Sequence, residues 1–118
     1  MTGQHWLGSI EGEFVYVGWL DKGQPYPTGE VEPVALEKLF LLCLTPVVRT
    51  RGFHLCPFCS AHGVTSERGG QKLVLGSAEI HVRASGRRVF LSPDMIYHYI
   101  VSHHYLPPQE FLAVVRAL

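Results

Sequence analysis

Two cysteines three positions apart, Cys56 and Cys59, most constrain what this chain can fold into. A C-x-x-C pair puts two thiols on one tight turn, close enough to grip the same ion. A structural zinc takes four tetrahedral ligands, and sulfur and imidazole both suit it. The chain therefore needs two further ligands, and His98 and His103 are the candidates. They are separated by four residues, within the spacing at which a histidine pair closes a zinc-finger-like site. Hairpin followed by helix is also the order in which such a site collects its ligands.

This pairing has a geometric difficulty. At 100° per residue, positions 98 and 103 lie about 140° apart around a regular helix. Both imidazoles reach one ion only if the helix tightens or frays near His103, and Pro107-Pro108 just beyond favours a disturbed end. His104 is a substitute at the next position. His54 and His62 are nearer to the cysteines in sequence and can supply one or both missing ligands. The other readings of the cysteine pair are a redox couple or two packed thiols. A thioredoxin-like couple belongs at a βα junction within a βαβ pattern, whereas Cys59 is followed by a polar stretch.

The rest of the chain reads as a small mixed fold. Ile10 to Leu20 is rich in aromatic and β-branched residues and predicts a strand. The breaker-rich segment with Pro25 and Pro27 predicts an ordered loop. Pro33 opens a helix to about Cys43, with Leu36, Leu39, Phe40 and Cys43 on one apolar stripe. Cys43 lies on that stripe and reads as a small buried hydrophobe. Val47 to Phe53 predicts a short strand, and residues 60–70 a polar, glycine-rich loop. Lys72 to Leu75 and Ala78 to Val82 read as strands, and Arg88 to Leu91 as the return arm of a hairpin turning at Ser85-Gly86. Ser92-Pro93-Asp94 has the form of a helix start, predicting a helix to about His103 or His104. A last short helix runs from Gln109 to Leu118. The expected fold is α+β: one small domain over residues 1–118, with a β-hairpin or small antiparallel sheet and about three helices, stapled by a zinc-finger-like site.

Composition narrows the function. The hydrophobic share of 47% with 17% charged residues suits a folded globular chain. At 118 residues the stability margin is thin, and a metal staple would add to it. The formal net charge of zero argues against a general nucleic-acid binder. Residues 1–44 hold six acids against two bases, and residues 45–118 hold eight bases against four acids. Either the two halves sit against each other or an acidic patch faces a partner. Three cysteines, an odd number, and the absence of a basic-then-apolar leader favour a reducing cytoplasm over a disulfide framework. The longest apolar run, Leu39 to Leu44, is too short to span a membrane.

No catalytic set is legible. H-E-x-x-H, the deaminase pattern, a nucleophile elbow and a phosphate loop are all missing, and acids near the clamp are few: Glu67, Glu79 and Asp94. The expected cofactor is thus a structural Zn2+ and the expected role that of a non-enzymatic module binding another protein. Tyr16, Trp19 and Tyr26 are candidate contact residues, with covering of the core as their alternative role. Arg83, Arg87 and Arg88, with Arg49 and Arg51, would serve a less favoured nucleic-acid reading. A metal-dependent hydrolase or a thiol enzyme is the third.

Several segments together resemble a family of small uncharacterised bacterial proteins. The resemblance is carried by Phe53-His54-Leu55-Cys56-Pro57-Phe58-Cys59 and by Pro93-Asp94-Met95-Ile96-Tyr97-His98-Tyr99-Ile100, His103, Tyr105-Leu106-Pro107-Pro108 and Glu110-Phe111. Val17-Gly18-Trp19-Leu20 and Pro25-Tyr26-Pro27-Thr28-Gly29 add to it, so it covers nearly the whole chain. It implies Cys56, Cys59, His98 and His103 as the shared polar set, with His54 also matching, and a bacterial cytoplasmic protein without a settled activity. At the position of His104 the pattern usually carries another residue, which favours His103.

Overall fold

The computed structural model describes residues 13–21, 23–46, 48–49, 56–59, 64–84 and 88–118. Six strands and three helices are found among them. They run β1 (Glu13–Tyr16), α1 (Pro33–Leu44), β2 (Val48–Arg49), β3 (Thr65–Arg68), β4 (Gln71–Val74), β5 (Ala78–Arg83), β6 (Arg88–Pro93), α2 (Ile96–His103) and α3 (Gln109–Arg116). Four strands form one sheet in the order β1-β6-β5-β2, and β3 pairs with β4 in a separate two-stranded ribbon. The fold is α+β, as the alternation of patterns along the chain predicts.

The β5–β6 hairpin is the centre of the sheet. Its antiparallel register sets Ile80 against Ser92 and Val82 against Phe90. Alternate β5 residues Ala78, Ile80 and Val82 are buried, as a two-residue period requires. β1 lies parallel to β6, with Phe14 opposite Val89 and Tyr16 opposite Leu91. A parallel pair cannot be joined by a tight turn, so this pairing is invisible to local sequence signals. It carries on past the strand, where Val17 N–H donates to the Leu91 carbonyl at 2.9 Å. Gly18 then turns the chain with φ +82°, and a Cβ there would meet the Ile96 side chain at 3.1 Å. The dihedral favours glycine, and a side chain there would also push on Ile96.

The helices close over a common core. α1 buries Ala35, Leu39, Phe40 and Cys43, with Leu36 half-buried beside them. Phe40 meets Tyr97 of α2 edge-on at 5.5 Å between ring centroids, and Phe111 of α3 meets Phe90 of β6 in the same manner at 5.5 Å. α1 and α3 are tied at the surface. Arg116 donates to Glu32 at 2.8 Å, and Lys38 donates to the carbonyls of Arg116 and Leu118. The Glu32–Arg116 pair joins the acidic and basic halves of the chain.

Several local expectations are corrected. Residues 60–70 are not all loop, because β3 occupies Thr65–Arg68 and turns into β4 through Gly69 and Gly70. Their φ values of +58° and +81° are those of the two-residue turn that fits the twist of a hairpin. Ser92 and Pro93 do not start a helix and instead finish β6. Asp94 serves as an anchor, not a cap: its carboxylate accepts from Gly76 N–H at 2.9 Å, and its own N–H donates to the Ala78 carbonyl. α2 begins only at Ile96, without a side-chain cap. The first strand is also shorter than expected, ending at Tyr16, and the last helix stops at Arg116. The turn at Ser85-Gly86 and most of the Val47–Phe53 segment lie outside the described residues.

Candidate metal centre

The site forms where the Cys56–Cys59 turn meets the C-terminal end of α2. α2 is buried from Ile96 to Ile100, and Tyr97 and Tyr99 pack inward on either side of His98. His98 is therefore carried into the protein by its neighbours. His103 is the last residue of the helix and is half-buried.

Despite the 140° offset of a regular helix, both histidine rings reach one place at the end of α2. The N–H groups of His104 and Tyr105 both converge on the Tyr99 carbonyl, the latter at 3.1 Å. The closing turn is thus wider than an α-turn. α2 keeps its α-helical form through His103, and the wide closing bonds come from the two residues after it. The His98 and His103 rings lie 5.0 Å apart, nearly perpendicular. His104 takes the left-handed conformation, φ +59° and ψ +27°, and its side chain is exposed outside the cluster.

One ligand atom from each of Cys56, Cys59, His98 and His103 lies within 4.8 Å of all the others. Cys56 Sγ is 3.4 Å from His103 Nε2, and Cys59 Sγ is 3.5 Å from His98 Nε2. With zinc–sulfur and zinc–nitrogen bonds of about 2.3 and 2.0–2.1 Å, a tetrahedron has sulfur-to-nitrogen edges of roughly 3.5 Å. The two measured edges fit that figure. The four residues lie close enough to hold a metal ion.

The electrostatics are mixed at sulfur and favour a neutral imidazole at His98. Burial pushes the Cys56 thiol above its ordinary range, while N–H groups of Phe58 and Cys59 aimed at the sulfur pull the other way. Those N–H groups stabilise a thiolate, the form that binds metal. Burial holds His98 below the usual histidine range, and the nearby His103 adds to the effect. A neutral imidazole is what a metal requires. Burial likewise raises the Tyr99 hydroxyl to about 12.

Phe58, inside the C-x-x-C turn, is the residue that sequence reasoning missed. Its ring packs against Tyr26 at 5.0 Å, His103 at 5.3 Å and Tyr99 at 5.8 Å. Tyr26 also donates its hydroxyl to the His103 carbonyl at 3.0 Å. The proline-rich loop is pinned to the same place: Gly29 N–H donates to the His104 carbonyl and Leu106 N–H to the Pro27 carbonyl. Only the unusual density of aromatics around the motif hinted at this shell.

The remaining candidates fall elsewhere. His54 and His62 lie outside the described residues, as do Arg51 and Arg87. Tyr16 is 65% exposed and Trp19 is 47% exposed, whereas Tyr26 is half-buried against the site. Arg88 reaches Glu110 and stands over the Phe90 ring, and Arg83 is exposed. Cys43 is buried away from the cluster, its thiol directed at the Asp94 carbonyl at 3.7 Å. Among the described residues, no helix is long and apolar enough to cross a membrane.

Compared with models of protein families, the chain matches the domain of unknown function DUF7919 over residues 5–116. The chain belongs to that family. No match is found among curated proteins or among solved structures. The DUF7919 match takes in all four clustered residues, so the candidate metal centre lies within the family's own domain.

Proposed function

We propose that this DUF7919 chain is a non-enzymatic module, stapled by a structural zinc, that presents a surface to another protein as an adaptor or immunity-type protein does. The zinc reading is carried by the closed set of two thiols and two imidazoles with donor atoms within 4.8 Å. That donor set suits zinc above the oxygen-seeking cations. A structural role is supported by the count of side-chain ligands, which leaves no position for substrate or water. Among the described residues the cluster includes no carboxylate to act as a base. A reducing bacterial cytoplasm, where such thiols stay available to metal, suits this reading.

The surface reading is supported by Tyr16 and Trp19. They meet edge-on at 6.3 Å while both remain largely accessible. Trp19 Nε1–H donates to the Leu91 carbonyl at 3.0 Å, which fixes the ring before any partner arrives. Rigid, exposed aromatic anchors lose little entropy on binding and are enriched at interfaces.

Native mass spectrometry with elemental analysis is expected to find one zinc per chain, lost in Cys56→Ser. A folded chain that takes up no zinc refutes the metal reading. Tyr16→Ala is expected to fold as the parent does and to lose a partner that the parent retains in stoichiometric amount from a cell extract. Equal recovery by both, or none by either, refutes the surface reading.

A further inference from the structure

We propose that Cys59 is an oxidation site through which peroxide opens the metal centre, with Cys56 as the resolving thiol. This inference rests on the zinc reading above and adds a regulation to it.

The two sulfurs are chemically alike but differently placed. Cys56 is fully buried, whereas Cys59 is exposed. Both belong to one turn, and their sulfurs lie within 4.8 Å. An oxidant from solvent therefore meets Cys59 first, with a second sulfur already beside it. A thiolate held by zinc remains a nucleophile, and access decides which one reacts. The third cysteine does not compete. Cys43 is buried under α1, with its thiol occupied by the Asp94 carbonyl.

The chemistry balances with a peroxide as the only added reactant. The Cys59 thiolate attacks one peroxide oxygen, and the O–O bond breaks. Cys59 becomes a sulfenic acid, and the leaving oxygen takes up a proton as water. The Cys56 thiolate then attacks the Cys59 sulfur, the S–O bond breaks, and the displaced hydroxide takes a second proton as water. Two thiolates, one peroxide and two protons give one disulfide and two waters. Two electrons pass from sulfur to peroxide, and Zn2+ keeps its charge. A disulfide no longer offers thiolate ligands, so His98 and His103 alone face the ion and it leaves.

Release has a structural consequence. A bound ion adds to the Phe58 packing that joins the turn to the end of α2, beside which the Tyr26 hydroxyl and the Gly29 amide are held and Leu106 bonds to Pro27. Oxidation is thereby coupled to the docking of the proline-rich loop.

The test uses the full chain with zinc loaded and counted beforehand. Hydrogen peroxide is added in equimolar amount. Released zinc is read with a chromogenic indicator, and thiols are counted by mass tagging in denaturant. The expected result is loss of one zinc together with two of the three thiols. Peptide mapping should find a Cys56–Cys59 disulfide and a free Cys43, and a thiol reductant with added zinc should restore the starting state. Cys43→Ala, which removes the one thiol outside the cluster, is expected to release its zinc and lose both remaining thiols under the same treatment. Zinc retained by the parent, or released with the sulfurs ending as sulfinic acid and no disulfide, overturns the inference and leaves the zinc reading standing. A chain that holds no zinc before peroxide is added overturns both.

Discussion

His103 and His104 are neighbours in the chain, yet the end of α2 sends them into different surroundings. His103 closes the cluster of donor atoms, while His104 turns out to solvent in the left-handed conformation. His103→Ala is expected to weaken zinc binding by more than the ~10–100-fold typical of removing an outer supporting group. A competition titration against a zinc chelator measures this. His104→Gly is expected to leave zinc binding unchanged. It should also raise stability by about 0.5–1 kcal/mol in urea unfolding, because a side chain in that conformation costs roughly 1–2 kcal/mol and glycine's unfolded-state freedom returns part of it. The choice between the two histidines was not legible from spacing, which allowed both. It depends on two amides sharing the Tyr99 carbonyl, a feature set by how the following residues dock.

At the scale of elements, the Cys56–Cys59 turn, the end of α2 and the proline-rich loop act together. Their bonds are few and meet within a short span: Tyr26 to His103, Gly29 to His104 and Leu106 to Pro27. Removing zinc with a chelator is expected to speed amide exchange at Gly29, Tyr105 and Leu106 while Val82 and Phe90 of the central hairpin stay protected. Hydrogen exchange read by NMR decides this, and a uniform rise across the chain would show that the metal supports the whole fold instead. α1 was legible in the sequence because its stripe recurs at helical spacing and is buried as such. Ser92-Pro93-Asp94 misled because helix-start chemistry competes with strand pairing. Glu79 opposite Pro93 and Ile80 opposite Ser92 continue the hairpin through those residues, and Asp94 is engaged with Gly76 before it can cap anything. β3 was missed for a related reason: its residues, Thr65-Ser66-Glu67-Arg68, carry little apolar signal, and pairing with β4 makes them a strand.

At the scale of the molecule, one apolar interior takes in Cys43, Cys56 and residues from each of the three described helices. Burial, with the Asp94 charge as a lesser cause, pushes the Cys43 thiol above its ordinary value of 9.0. The folded chain therefore holds this proton more tightly than the unfolded chain does. The stability linked to it is fully present below about pH 9 and is lost as the pH rises further. Cys43→Ala is expected to make stability fall less steeply above that pH, as urea midpoints across an alkaline series would show. The sequence by itself determined the mixed fold class, the buried stripe of α1, the hairpin arms and the cysteine pair with its candidate histidines, because each is written in spacing that local geometry obeys. Only the tertiary structure decided the parallel pairing of β1 with β6, the strand role of Ser92 and Pro93, and the left-handed exit from α2 that sends His104 to solvent and leaves His98 and His103 beside the two sulfurs. Those outcomes depend on partners tens of residues away, and no local pattern records which of two well-formed alternatives a distant partner will select.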